Sequence, residues 1–162
     1  MSTTSKRSWI VDPRSSSRPS APNEVDEEIR FLYVEASLIA NDSPKSAGAF
    51  LRTALQQIIH DTAGIKKRDL NAEITDLIGS NQVPSFITDI LDSVRVVGNF
   101  AANPIKSAST GSIKDAEIGE VELCFDVIEA LFGFYFIQSA RIAAQKAAIN
   151  KKLQDTGKPL LK

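Results

Sequence analysis

Cysteine and histidine occur once each in this sequence, as Cys124 and His60. A lone thiol excludes an intramolecular disulfide and any multi-thiolate metal site, and a lone imidazole removes ligand sets built on two. The chain also has no Gly-rich phosphate loop, no Gly-x-Ser-x-Gly elbow and no dinucleotide fingerprint, so neither a metal nor a cofactor is expected. Charge of one sign is missing too. With 19 Lys and Arg against 20 Asp and Glu the net charge is -1, so no overall basic field draws in nucleic acid or anionic lipid, and any RNA contact would be local. The longest apolar run, Ala130 to Ile137, is far short of the ~20 residues that span a bilayer. No apolar stretch follows Lys6 and Arg7, so the expectation is a cytoplasmic protein with no membrane partner.

What is present is ordinary for one folded domain: 162 residues, 43% apolar and 24% charged. Folding at this length buries roughly 70% of the unfolded chain's surface, enough for a core without staples. Residues 1–22 are rich in Ser, Arg and Pro, with Pro13, Pro19 and Pro22 blocking regular structure, and read as an extended or disordered arm. Trp9 and Ile10 in that arm are candidate packing anchors. A helical domain is expected over residues 23–157 and a short tail over 158–162.

Within the domain, Val25, Ile29, Leu32, Tyr33, Ala36, Ile39 and Ala40 recur at three- and four-residue spacing and predict a helix from Glu24 to Ala40. Ser43-Pro44 is a helix start, because a proline at the first position gives up an N–H that had no partner anyway. The second helix is predicted to run to about Ala63, stopped by Gly64. A third, Asp69 to Ile78, is expected to end on Gly79. Pro84 opens a fourth, with Ile87, Ile90, Leu91, Val94, Val97 and Ala101 on one stripe before Pro104 closes it. Ile105-Lys106 and Ile113-Lys114 around Thr110-Gly111 suggest a short hairpin or irregular insertion at about 104–118.

A fifth helix is predicted from Gly119 to Phe134. Its second half, Leu131, Phe132, Phe134, Tyr135 and Phe136, is apolar on every side, which fits either a central position or a face half-covered by another subunit. A last amphipathic helix, from about Gln138 to Asp155, is expected to present Ile142, Ile149 and Leu153 opposite a face of Lys and Gln, and Gly157-Lys158-Pro159 to end it. The predicted class is all-α: an up-and-down bundle of five to six helices.

The passage Ser43-Pro-Lys-Ser-Ala-Gly-Ala-Phe-Leu-Arg-Thr-Ala-Leu-Gln56, followed by Val94-Arg-Val-Val-Gly-Asn-Phe-Ala-Ala-Asn-Pro104, resembles the bacterial family called domain of unknown function 4145, of the HEPN superfamily of helical bundles. Pro13 to Pro19, Asn103 to Ser107, Asp126 to Phe136 and Gly157-Lys158-Pro159 resemble one branch of it, so the likeness covers nearly all the chain. It implies an HEPN-like bundle and a link to bacterial defence or nucleic-acid metabolism. Active HEPN ribonucleases carry Arg, a polar residue and then His at one helix end, doubled across a dimer. The His moves protons and the Arg neutralises developing charge, without a metal.

On that alignment the Arg position falls on Gly98, the polar position on Asn99 and the His position on Asn103. The family's own pattern has Gly-Asn followed by Ala-His, so Asn103 is the departure, and an amide cannot exchange protons near pH 7. Arg95, three residues before Gly98, is the candidate substitute cation, with pairing to an acid as its structural alternative. Asn99 and Asn103 are expected to fix the helix end. Arg52 and Gln56 stand where the family has Arg and then Leu-Glu, and are expected to form a structural polar pair; Gly48 and Gly98 are expected to permit close helix packing. His60 reads as a surface residue favoured by the helix dipole. Lys66-Lys67-Arg68 reads as a solvated cluster, and Asp115, Glu117, Glu120 and Glu122 as an acidic helix start.

These readings converge on a non-catalytic, HEPN-like module acting as a homodimer through the aromatic surface at Leu131–Phe136 of the fifth helix and through the motif-bearing fourth helix. Two rivals remain: a weak ribonuclease using Arg95 and Asn99, and an RNA or nucleotide binder without turnover. An RNA or a protein is the further candidate partner.

Overall fold

The computed structural model describes residues 15–97, 105–106, 113–114 and 118–162. The first helix, α1 (Glu27–Ile39), starts later than its periodicity predicts because a turn from Pro22 to Val25 precedes it. Glu27 and Glu28 place negative charge in the first turn, where the helix dipole favours it. Ile29, Tyr33 and Ala36, with flanking Val25 and Ala40, are buried, while Leu32 and Ile39 are only partly so.

The second helix, α2 (Pro44–Ile58), begins at the expected Ser43-Pro44 step. Its inner face, Ala47, Leu51, Ala54, Leu55 and Ile58, is fully covered. The helix then widens into a π segment, Ile59–Ala63, and stops at Gly64 with φ 69°. That left-handed backbone favours glycine. In α3 (Leu70–Gly79) Asp69 caps the start by accepting from Ala72 N–H at 2.9 Å. The stop is not Gly79 as expected: the glycine stays helical, and Asn81 takes the positive φ of 54° two residues on. Asn tolerates that region better than other side chains.

The fourth helix, α4 (Ser85–Val97), buries Ile87, Leu91 and Val94. Pro84 sits just outside it, its carbonyl accepting from Ile87 and Thr88 N–H at 3.0 and 3.1 Å. Ile105–Lys106 (β1) pairs antiparallel with Ile113–Lys114 (β2), Ile105 facing Lys114; this is the predicted hairpin. Ala101, Gly98, Asn99 and Asn103, together with Trp9 and Ile10, lie outside the described residues.

The architecture is an all-α bundle. Helix α2 packs on α1 and on α5 (Ile118–Leu131), α4 packs on α5, and α3 closes against α4. The largest departure comes after α5. The chain does not turn back for a final antiparallel helix: a second π segment, Phe132–Ile137, carries it straight into α6 (Gln138–Asp155). The result is one helical path of 38 residues from Ile118 to Asp155. By length and composition alone such a helix can cross a membrane, which the short apolar run did not suggest. Val121, Phe125, Val127, Ile128 and Leu131 of that path are buried against the other helices, as in the core helix of a folded domain.

No residue of α6 is buried. Ile142 and Ile149 therefore face outward rather than into a core. The helix ends in a Schellman turn at Gly157 (φ 67°), with Lys158 N–H on Leu153 O at 3.0 Å and Gly157 N–H on Gln154 O at 3.1 Å. The tail then folds back, and Asn150 holds Leu161 through both its backbone N–H (2.8 Å) and its carbonyl (3.3 Å).

Candidate functional site

The residues aligned with the ribonuclease motif, Gly98, Asn99 and Asn103, lie outside the described residues, but the candidate substitute cation, Arg95, is described. It sits on the last turn of α4, and its guanidinium donates to Asp92 Oδ1 from Nε at 3.0 Å and from Nη2 at 2.6 Å. Asp92 is exposed and Arg95 half-exposed, so this is a surface pair within one helix, worth a fraction of a kcal/mol. It meets the structural alternative for Arg95, pairing with an acid, but on the surface rather than inside the bundle.

Arg52 and Gln56 lie one turn apart on α2 and share a groove of about 380 Å³ with Thr53, Arg68 and Asp69. Burial holds the Arg52 guanidinium below its usual value, against the opposite pull of Cys124 and Asp69. Asp69 is the α3 cap and also pairs with Arg68 at 2.8 Å. The basic cluster is similarly partnered, since Lys67 Nζ lies 2.7 Å from Asp76. Gly48 is buried on α2, in keeping with a packing role.

The single imidazole is not a bare surface residue. His60, in the π segment after α2, places Nε2 2.7 Å from Oε1 of Glu73, a fully buried carboxyl group on α3. The same Oε1 accepts from Lys67 N–H at 3.0 Å, while Oε2 is buried with no hydrogen-bond partner. A signal for this existed. Leu70, Glu73, Ile74 and Leu77 follow the spacing of a core face, so one carboxyl group interrupts an apolar stripe and must find a donor inside.

A second constellation was also missed. Arg18, in the arm, reaches α5 and meets three carboxylates: Glu122 through Nη2, and Asp126 at 2.7 Å and Glu129 at 3.2 Å through Nη1. Nη2 also donates to Glu122 O at 3.1 Å, and the guanidinium lies 4.9 Å over the Phe125 ring. The Tyr33 hydroxyl joins the cluster, 2.9 Å from Glu129 Oε1 and 3.0 Å from Pro19 O. Burial first, then the hydrogen bond to Glu129, raises the Tyr33 pKa. The acids at 122, 126 and 129 are one stripe of α5, which is the pattern that marked a basic partner. The arm is thus anchored from its docked end rather than extended throughout.

Within a single chain the expected aromatic interface divides in two. Leu131 and Phe132 are core residues, and Phe134, Tyr135 and Phe136 are half-buried against it. Tyr33 packs edge-on to Phe125 and tilted against Phe132, each at 5.4 Å, and Phe132 meets Phe136 at 6.1 Å. The segment thus begins in the core at Leu131 and Phe132 and continues half-covered through Phe136. Among the described residues no group of three His, Cys, Asp or Glu side chains is placed to hold a metal ion.

The family model described as a domain of unknown function, DUF4145, matches residues 34–155, three-quarters of the chain. The chain belongs to the DUF4145 family. No curated protein and no solved structure matches it. The DUF4145 match begins within α1, so Arg18 and Tyr33 precede it, and it ends on the last residue of α6. Helix α6 therefore belongs to the DUF4145 domain although it packs on so little of it.

Proposed function

We propose that this DUF4145 protein is a non-catalytic, HEPN-like interaction module that works as a homodimer in bacterial defence or nucleic-acid metabolism. One observation carries the first part. Metal-independent RNA cleavage needs a group that exchanges protons near neutrality, and the chain's only histidine is tied to buried Glu73. At the position where the family pattern has its His, the sequence has Asn103, and the candidate substitute cation, Arg95, pairs with Asp92. What supports association is α6, a helix of the family domain with no buried residue.

Two measurements test the reading. Purified protein incubated with structured and single-stranded RNA should leave both intact, and Arg95→Ala should behave identically. Turnover by the wild-type protein that Arg95→Ala abolishes would mean a ribonuclease instead. Light scattering at tens of micromolar should give twice the chain mass; a strict monomer would end the homodimer claim.

A further inference from the structure

We propose that α6 of one copy lies along the outer face of α1 in a second copy, and that the reciprocal exchange closes a two-fold dimer. The inference rests on the homodimer reading and names its surfaces. Ile142 and Ile149, each 47% exposed, are seven residues apart and share one stripe of α6. The helix is about 27 Å long at 1.5 Å per residue, and because it runs straight on from α5 it leaves that stripe bare. The outer face of α1 offers a matching stripe. Phe31 and Val34, 59% and 41% exposed, stand with Glu27 and Leu38 opposite the buried Ile29, Tyr33 and Ala36. Together with Pro19 and Ala21 of the arm, and with Arg18 and Arg30, they line an open groove of about 610 Å³; Arg18 there is already paired with Glu122, Asp126 and Glu129.

Charge selects the partner. Residues 138–162 carry six basic side chains, Arg141, Lys146, Lys151, Lys152, Lys158 and Lys162, against Asp155 alone. Residues 15–137 carry eighteen acidic against ten basic, and Glu24, Asp26, Glu27 and Glu28 are exposed at the start of α1. Two α6 helices packed on each other would set basic against basic. A polyanion bound to α6 would have to approach the acidic body beside it. The start of a second copy's α1, where exposed Glu24, Asp26, Glu27 and Glu28 outnumber Arg30, supplies the opposite charge beside the apolar stripe. Because each chain holds one donor helix and one acceptor groove, exchange in both directions satisfies both seams and closes the assembly at two.

The test uses full-length protein in analytical ultracentrifugation. Arg141→Glu with Lys152→Glu reverses the charges flanking the Ile142–Ile149 stripe; Glu24→Lys with Glu27→Lys reverses the acidic charge at the start of α1 beside the groove. Each double variant should keep the wild-type helical circular dichroism and dimerise at least tenfold more weakly. An equimolar mixture of the two should dimerise again, since both seams of the mixed dimer regain opposite charges. Ile142→Ser with Ile149→Ser should weaken the dimer without changing charge. A monomeric wild type would overturn the homodimer reading and this one with it. A wild-type dimer that all three variants leave unchanged would overturn only the placement of α6. Unchanged dimers together with loss of binding to a labelled single-stranded RNA in the α6 charge variant would assign the helix to nucleic acid instead.

Discussion

Glu73 is the residue that most constrains this fold. A fully buried carboxyl group is tolerated only with donors inside, and here they are His60 and the backbone of Lys67. Removing the imidazole leaves one oxygen with the Lys67 amide alone and the other still without a partner. His60→Ala should therefore lower the unfolding free energy by about 2 kcal/mol, measured in urea. Adding Glu73→Leu should recover most of that loss, because the buried polar group goes with its partner. A double variant as unstable as the single one would mean that His60 acts through packing instead.

Cys124 gives a prediction in pH. Burial pushes its thiol up to about 11, against the pull of the nearby Arg52 guanidinium. A raised folded pKa means that the folded protein holds this proton more tightly than the unfolded chain, whose thiol titrates near 8.5. The corresponding stability is fully present below about pH 8.5 and is lost as pH rises toward 11. At pH 8 the folded thiolate fraction is about one in a thousand, so iodoacetamide should alkylate Cys124 more than 100-fold more slowly in buffer than in denaturing urea. Comparable rates in the two would contradict the buried, proton-holding thiol.

Among the elements, the arm and the last helix reverse what their sequences suggest. The arm is Pro- and Ser-rich, yet Arg18 fastens it to α5 through three carboxylates and the face of Phe125. Guanidinium–carboxylate hydrogen bonds of this kind are among the stronger ones. Arg18→Ala should cost about 2 kcal/mol of stability, and hydrogen exchange should speed up at residues 16–22 while α2 stays protected. A variant whose exchange matches the wild type would show that Pro19 and Tyr33 hold the arm without it. Helix α6 is the opposite case: strongly helical in composition, with nothing buried.

For the whole molecule, that contrast has a measurable consequence. The core is assembled from α1 to α5 and the first residue of the second π segment, and residues 138–162 contribute no buried side chain. A chain ending at Ile137 should unfold in urea at nearly the same midpoint as a monomeric full-length variant. It should also fail to dimerise. A large drop in midpoint would mean that α6 stabilises the fold within its own chain.

The sequence by itself determined the helices whose apolar residues follow an uninterrupted helical spacing, the start of α2 at Ser43-Pro44, its stop at Gly64, and the Ile105–Lys114 hairpin. Those are local matters, decided by periodicity, by proline and glycine backbone limits and by β-pairing over a few residues. The pattern left open whether Leu131 to Phe136 faced a core or a partner, because an apolar side chain is attracted equally to either. Tertiary structure placed Leu131 and Phe132 in the core, with Phe132 against Tyr33, by running α5 through a π segment into α6. It also decided that Arg18 would meet acids more than a hundred residues away and that His60 would meet Glu73. Charge and hydrogen-bond partners distant in sequence are chosen by the packing of helices, which no short stretch of chain encodes.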